Sequence, residues 1–203
     1  MKNSHTKLLV LVIVVLHPPG VWAADPQNSI NFGIGGLNPM PHCEATIYTV
    51  EVEHRYSPTL AIVGRGSRVD YTSDDDDYLE DGTLKGVDIG VRYYRAGRMQ
   101  GFYTGASLGY WKGDWTFTDN QNTPAQRQGD SDSHSVRLNI DLGYRFPIRD
   151  TNISIMPEVN IGKFFSSSSC DYISPASQVG ASCDQESDVD AYIFAGVNVG
   201  IGF

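Results

Sequence analysis

Three adjacent residues, Ser133, His134 and Ser135, carry side chains that could perform nucleophilic catalysis. A serine hydroxyl becomes a strong nucleophile when a neighbouring imidazole removes its proton and an acid orients that imidazole. Neighbouring residues of a β-strand point to opposite faces, so His134 could not easily reach either serine from within one strand. The simpler interpretation is a polar segment at the end of a loop, and we expect no catalytic residues here.

A second group that could do chemistry lies within residues 73–82. It contains six acidic residues, which are Asp74, Asp75, Asp76, Asp77, Glu80 and Asp81. Carboxylate oxygens are the ligands that Ca²⁺ prefers, although this spacing does not match the loop of an EF-hand. A solvated loop is the simpler interpretation, and whether the segment binds a divalent ion stays open.

The N-terminal segment has the pattern of a secretory signal peptide. A short polar start with a lysine is followed by an apolar run over residues 8–16, and a small residue, Ala23, follows a few positions later. The run is too short to cross a bilayer as a helix, which needs about 20 residues. We therefore expect residues 1–23 to be removed on export and residues 24–203 to form one domain.

Three cysteines remain in the exported chain, and an oxidising compartment favours disulfide bonds between them. Cys170 and Cys183 lie in one serine-rich segment and are the natural pair. Cys43 would then be a free thiol or an intermolecular partner, and the pairings that include Cys43 stay open.

Alternation of apolar and polar side chains predicts eight β-strands. They cover residues 29–36, 45–56, 60–71, 86–94, 101–112, 135–146, 152–164 and 191–203. The alternation runs to the last residue, Phe203, and such a strand would be an open edge in a soluble protein. Pairing of the last strand with the first would remove this edge.

Two predicted strands contain an irregularity. In the third strand both faces begin with apolar residues, and a bulge at Gly64–Gly66 would exchange the faces. In the seventh strand Pro157 removes one ladder hydrogen bond, which predicts a local distortion.

The connections between the predicted strands alternate in length. Residues 57–59, 96–100 and 147–150 form short turns, whereas 74–85, 113–134 and 165–187 form long polar loops. The two ends of the sheet therefore differ, as they do in bacterial outer-membrane barrels with short periplasmic turns and long outer loops.

The polar face of the strands carries glycines and single charges of both signs. The charged residues are Glu51, Glu53, Arg55, Asp88, Arg92, Arg137, Asp141, Arg145 and Glu158. The interior of an eight-stranded barrel is just wide enough for side chains, so opposite charges can pair there without leaving a pore. The sequence therefore predicts an all-β, eight-stranded antiparallel transmembrane barrel with a lumen charge network.

The alternating strands, the glycine-rich polar face and the terminal Phe203 resemble those of the small OmpA-like and Opa-like outer-membrane β-barrels. This resemblance implies a location in the bacterial outer membrane, with lipid and lipopolysaccharide as neighbours. It also implies that Phe203 is part of the signal read by the barrel-assembly machinery. Divalent ions that bridge the acidic segment to lipopolysaccharide phosphates are an alternative role for that segment.

No catalytic or cofactor-binding motif accompanies the resemblance, so we expect no enzyme activity and no cofactor. The net charge of −9 argues against nucleic acid as a partner. A structural or adhesive role through the long outer loops, with a host or cell-surface receptor as a candidate partner, is the favoured function. A lipid A-modifying enzyme and a narrow transporter of small apolar solutes are the alternatives.

Overall fold

A computed structural model describes residues 26–37, 43–75, 78–120, 123–174 and 191–203, so the expected signal peptide lies outside the described residues. Eight β-strands account for most of this part of the chain. They are β1 (Asn28–Leu37), β2 (Cys43–Arg55), β3 (Leu60–Asp75), β4 (Tyr78–Tyr94), β5 (Gly101–Asp119), β6 (Arg127–Pro147), β7 (Ile153–Ser174) and β8 (Ala191–Gly202). Among the described residues, no helix is long and apolar enough to cross a membrane.

Each strand pairs antiparallel with its sequence neighbour, and β8 pairs with β1 to close a barrel. The backbone N–H and C=O of Asn28 bond with those of Phe203 at 2.9 Å in both directions. The predicted fold is therefore confirmed, and the alternating C-terminal segment has no open edge.

The barrel has apolar side chains outside and polar side chains inside. Its outer surface exposes large residues on every strand, among them Phe32, Val50, Val87 and Leu138. Four arginines are buried in the lumen. An apolar surface of this extent would make a water-soluble monomer aggregate, whereas it matches the apolar band of a transmembrane barrel.

The described residues of the long predicted loops mostly continue the strands, so the loop prediction is wrong for them; residues 76–77, 121–122 and 175–187 lie outside the described part of the chain. Five paired segments extend beyond the apolar band, and together we call them the outer extension: residues 68–75, 78–85, 112–119, 127–134 and 167–174. Each segment rises about 25 Å along its strand. Their outward positions hold mostly charged and hydroxyl residues, so the outward apolar face that marks the membrane-spanning part of each strand ends before these segments.

The two predicted irregularities have different outcomes. The β2–β3 and β3–β4 pairings run without interruption past Gly64 and Gly66, so the bulge considered there does not form. On β7, the residues Met156 and Pro157 lack paired partners on β6, although β8 still pairs with both. The distortion predicted at Pro157 is therefore present on one side of the strand.

Apolar side chains close the lumen at two levels. Near the short turns, Ala61, Tyr94, Met99 and Tyr103 form one buried cluster. Toward the outer extension, a second cluster is formed by Ala45, Ile47, Val69, Trp111, Phe164, Tyr192 and Phe194. The charged lumen residues lie between these two apolar layers.

Candidate functional site

The centre of the lumen is organised around Glu51, which projects inward from β2. The guanidinium of Arg92 donates to both carboxylate oxygens of Glu51, at 2.7 and 3.0 Å. Arg65 donates to the same carboxylate from Nε and Nη2, at 3.0 and 2.7 Å. All three side chains are at least nine-tenths buried. Glu51 is thus the common acceptor of two arginines that the barrel removes from water.

Two further ion pairs flank this centre. Arg137 forms a two-point contact with Asp88 at 2.6 and 2.9 Å, and its guanidinium lies 4.4 Å from the ring centre of Trp111. Arg145 contacts Glu53 at 2.5 Å, and the hydroxyl of Tyr94 donates to the same carboxylate at 2.7 Å. Bidentate and charge-assisted hydrogen bonds of this kind are the strong ones in a dry interior.

Asp141 and Glu158 complete the network by facing both central arginines. Their oxygens lie 3.5–3.6 Å from the nearest nitrogens of Arg65 and Arg92. Glu158 also accepts the Tyr103 hydroxyl at 3.0 Å. The structure brings eight of the nine sequence-predicted lumen charges inside the barrel.

The ninth predicted residue, Arg55, is half-buried at the end of β2. Sequence reasoning also missed Arg65, because both faces of β3 begin with apolar residues. Arg65 shares its parity with the inward-facing Ala61 and Val63. The cost of placing a charge in lipid was the signal that could have assigned Arg65 to the lumen.

The filled lumen does not support the transporter alternative. Between the charged centre and the outer apolar layer lies a cavity of about 30 Å³, which touches Arg65, Arg137 and Asn198. Such a volume holds about two water molecules. Another cavity beside Asp88 and Asp141 measures about 10 Å³.

The serine–histidine segment does not form a nucleophilic site. Ser133 and Ser135 are buried in the lumen, whereas His134 is exposed on the outer surface. The imidazole Nδ1 of His134 lies 2.8 Å from the Tyr110 hydroxyl. Strand alternation therefore separates the hydroxyls from the imidazole, and the lipid A-modifying alternative gains no support.

The acidic segment and the cysteines are only partly described. Asp76 and Asp77 lie outside the described residues, and within the described ones no group of three His, Cys, Asp or Glu residues could hold a metal ion. Cys170 is disulfide-bonded. Because Cys183 lies outside the described residues, its pairing with Cys170 stays a prediction.

The outward face of the outer extension carries carboxylates held by local partners. Arg68 donates to Asp70 at 2.9 Å, and this hydrogen bond lowers the pKa of Asp70 below its ordinary value of 3.8. A hydrogen bond with Asp132, together with the nearby Lys112, lowers the pKa of Asp114. A lowered pKa adds stability that is present at neutral pH and lost as the pH falls through that pKa.

Comparisons with known proteins agree with this architecture. No protein-family model matches the chain, and no curated protein does. A major outer membrane protein from Thermus thermophilus superposes with a TM-score of 0.53 and 13% identity, over 87% of this chain and 99% of that one.

Two other barrels superpose with lower scores. The N-terminal barrel domain of Pseudomonas aeruginosa OprF has a TM-score of 0.44 and 15% identity, over 88% of this chain and 99% of that one. Acinetobacter baumannii CarO has a TM-score of 0.44 and 10% identity, over 88% and 98%. The strand order, the apolar band and the likeness to the Thermus protein show one fold: the chain is an eight-stranded β-barrel of the bacterial outer-membrane type.

Proposed function

We propose that the chain is a surface protein of the bacterial outer membrane that has a structural or adhesive role and acts through its outer extension. The sealed lumen leaves the outside of the barrel as the surface available to partners. The observation that carries the proposal is the outer extension itself, in which paired strands continue eight residues past the apolar band. A paired sheet presents its side chains in fixed positions, which lowers the entropy cost of binding a partner.

The orientation follows from the lengths of the connections. In bacterial barrels the short turns face the periplasm and the long connections face outward. Here the short turns join β2 to β3, β4 to β5 and β6 to β7, so the outer extension lies outside the cell.

Labelling of single cysteines checks this orientation. A membrane-impermeant maleimide is expected to label Thr116→Cys on intact cells above the background of the unaltered chain, because Thr116 is exposed in the outer extension. Arg149→Cys, in the exposed β6–β7 turn, is expected to react only after the outer membrane is opened. Labelling of Arg149→Cys on intact cells would show that the short turns, and not the outer extension, face outward.

A hairpin-trimmed barrel tests the proposed role. Gly113 and Ser133 are cross-strand partners, so an Asn-Gly turn can join them and remove residues 114–132 in register. Cells that display the full barrel are expected to adhere to an epithelial monolayer more strongly than cells that display the trimmed barrel at equal surface level. Equal adherence of the two would contradict an adhesive role for this hairpin and leave only the structural role.

Assembly through the C-terminal aromatic is a separate prediction. Phe203→Ser is expected to lower the amount of barrel that reaches the outer membrane, and Phe203→Tyr is expected to leave it unchanged. The side chain of Phe203 is 62% exposed, and its ladder contact uses backbone atoms only. Urea unfolding of the refolded barrel should therefore change little. Normal assembly of Phe203→Ser would refute the role of Phe203 in the assembly signal.

A further inference from the structure

Four adjacent strands carry a basic residue at the same register on the outer surface. Arg68 pairs with Lys85, Lys85 with Lys112, and Lys112 with His134. All four side chains are exposed. Because neighbouring strands lie about 4.8 Å apart, these residues form a continuous row of roughly 14 Å, which we call the basic row.

The basic row lies where the apolar band ends. Two residues closer to the short turns, the outward positions hold Gly66, Val87, Tyr110 and Val136, of which Val87 is 64% and Tyr110 54% exposed. On β6 the outward apolar residues run from Phe146 to Val136, about 33 Å along the strand. At a tilt of about 40° this length spans about 25 Å, the height of a barrel's apolar band. The basic row is therefore at the level of the outer headgroups.

Three of the four residues have an acidic neighbour one outward position further along the same strand, and for His134 this neighbour is Asp132. Arg68 contacts Asp70 at 2.9 Å, with the two side chains 54% and 41% exposed. Lys112 lies 3.4 Å from Asp114. Exposed ion pairs contribute little to stability, about 0–1 kcal/mol. A gain in stability from these pairs therefore does not explain why adjacent strands carry basic residues at the same register. The cations stay accessible to an anion at the membrane surface.

A polar groove adjoins the basic row on its aqueous side. It has a volume of about 780 Å³ and is lined mainly by acidic and threonine residues, which include Asp70, Thr83, Asp114, Thr116 and Asp130. Carboxylates accept hydrogen bonds, and threonine hydroxyls both donate and accept them. This combination matches the hydroxyl groups of a sugar, which a simple phospholipid headgroup does not supply in the same number.

We propose that the basic row binds the phosphate groups of a phosphorylated glycolipid in the outer leaflet, with the sugars of that lipid in the adjoining groove. Cations at a membrane surface recognise anionic headgroups by this charge complementarity. The inference rests on the membrane orientation given under the proposed function and does not depend on adhesion.

A triple variant tests the basic row against a control of equal charge change. Arg68→Gln, Lys85→Gln and Lys112→Gln remove the arginine and both lysines of the row, whereas Arg95→Gln, Arg98→Gln and Arg149→Gln remove three exposed cations at the short-turn end. Each refolded barrel is titrated with purified lipopolysaccharide in detergent micelles. We expect the row variant to bind on the order of a hundredfold more weakly than the unaltered barrel, and the control variant to bind normally.

Two further arms separate the outcomes. With dephosphorylated lipopolysaccharide, the unaltered barrel and the row variant are expected to bind with equal affinity. Equal binding by the row and control variants would overturn the site, and equal binding of phosphatidylglycerol and lipopolysaccharide would overturn the glycolipid as its ligand. These results are independent of the adherence of the hairpin-trimmed barrel, so the site and the proposed function can fail separately.

Discussion

Glu51→Gln is expected to lower the free energy of unfolding of the refolded barrel by about 3–5 kcal/mol, because it removes one partner of a buried ion network. The neutral amide keeps the size of the side chain but leaves Arg65 and Arg92 without their shared carboxylate, whose nearest contacts are 2.7 Å. Asp141 and Glu158 lie 3.5–3.6 Å away and cannot replace that contact without moving. Urea unfolding, followed by tryptophan fluorescence, measures the change.

Glu44→Gln is the matched control for this measurement. Glu44 lies on the same strand, but it is exposed on the outer face. Its substitution is expected to change the free energy of unfolding by no more than about 0.5 kcal/mol. A Glu51→Gln barrel as stable as the Glu44→Gln barrel would show that the network does not stabilise the lumen.

The second large effect is expected at Gly90, an inward position of β4. A Cβ added there would lie 2.4 Å from the carbonyl oxygen of Ala106 and 2.6 Å from the Cβ of Ser107 on β5. A backbone oxygen cannot turn away as a flexible side chain can. Gly90→Ala is therefore expected to destabilise the barrel by about 1–3 kcal/mol through overpacking.

Gly64→Ala, on the adjacent strand β3, is expected to stabilise the barrel, which is the opposite of the effect expected for Gly90→Ala. A Cβ at Gly64 meets no atom within 4 Å. Replacing a strand glycine by alanine at such a position is expected to stabilise the fold by about 0.5–1 kcal/mol. Chemical unfolding of the two variants under one condition compares them. Equal destabilisation by both would contradict the close approach of β4 and β5 at Gly90.

The strands and their faces were predictable from the sequence because a barrel in lipid imposes period-2 alternation on every strand. The inward positions of Asp88, Arg92 and Arg137 follow directly from that alternation. The same rule failed at β3, where Ala61 and Val63 face inward although they are apolar. Ala61 packs in the apolar layer near the short turns, whereas Val63 lies further along the lumen, at the small cavity beside Asp88 and Asp141.

Other features could not be read from local pattern. The outward positions of the outer extension are polar, so residues 113–134 were predicted as a loop although strand pairing continues through most of them. Met99 belongs to a short turn but folds back into the lumen, with positive φ angles at Gly97, Arg98 and Met99. Its burial against Tyr94 and Tyr103 depends on the closed barrel, which no local sequence pattern encodes.

The sealed lumen and the basic row assign different tasks to two sets of cations. The buried arginines hold opposite walls of the barrel together, whereas Arg68, Lys85 and Lys112 face the membrane surface. The net charge of −9 conceals this division, because acidic residues of the outer extension outweigh both sets.

The central claim is that the chain folds as a closed barrel in the outer membrane, and gel mobility of the outer-membrane fraction tests it most directly. A barrel in which β8 pairs with β1 is expected to resist dodecyl sulfate when unboiled and to migrate differently after boiling. A heat-dependent shift in that fraction is the predicted result. Recovery of the chain in the soluble periplasm, with the same mobility before and after boiling, would contradict the account.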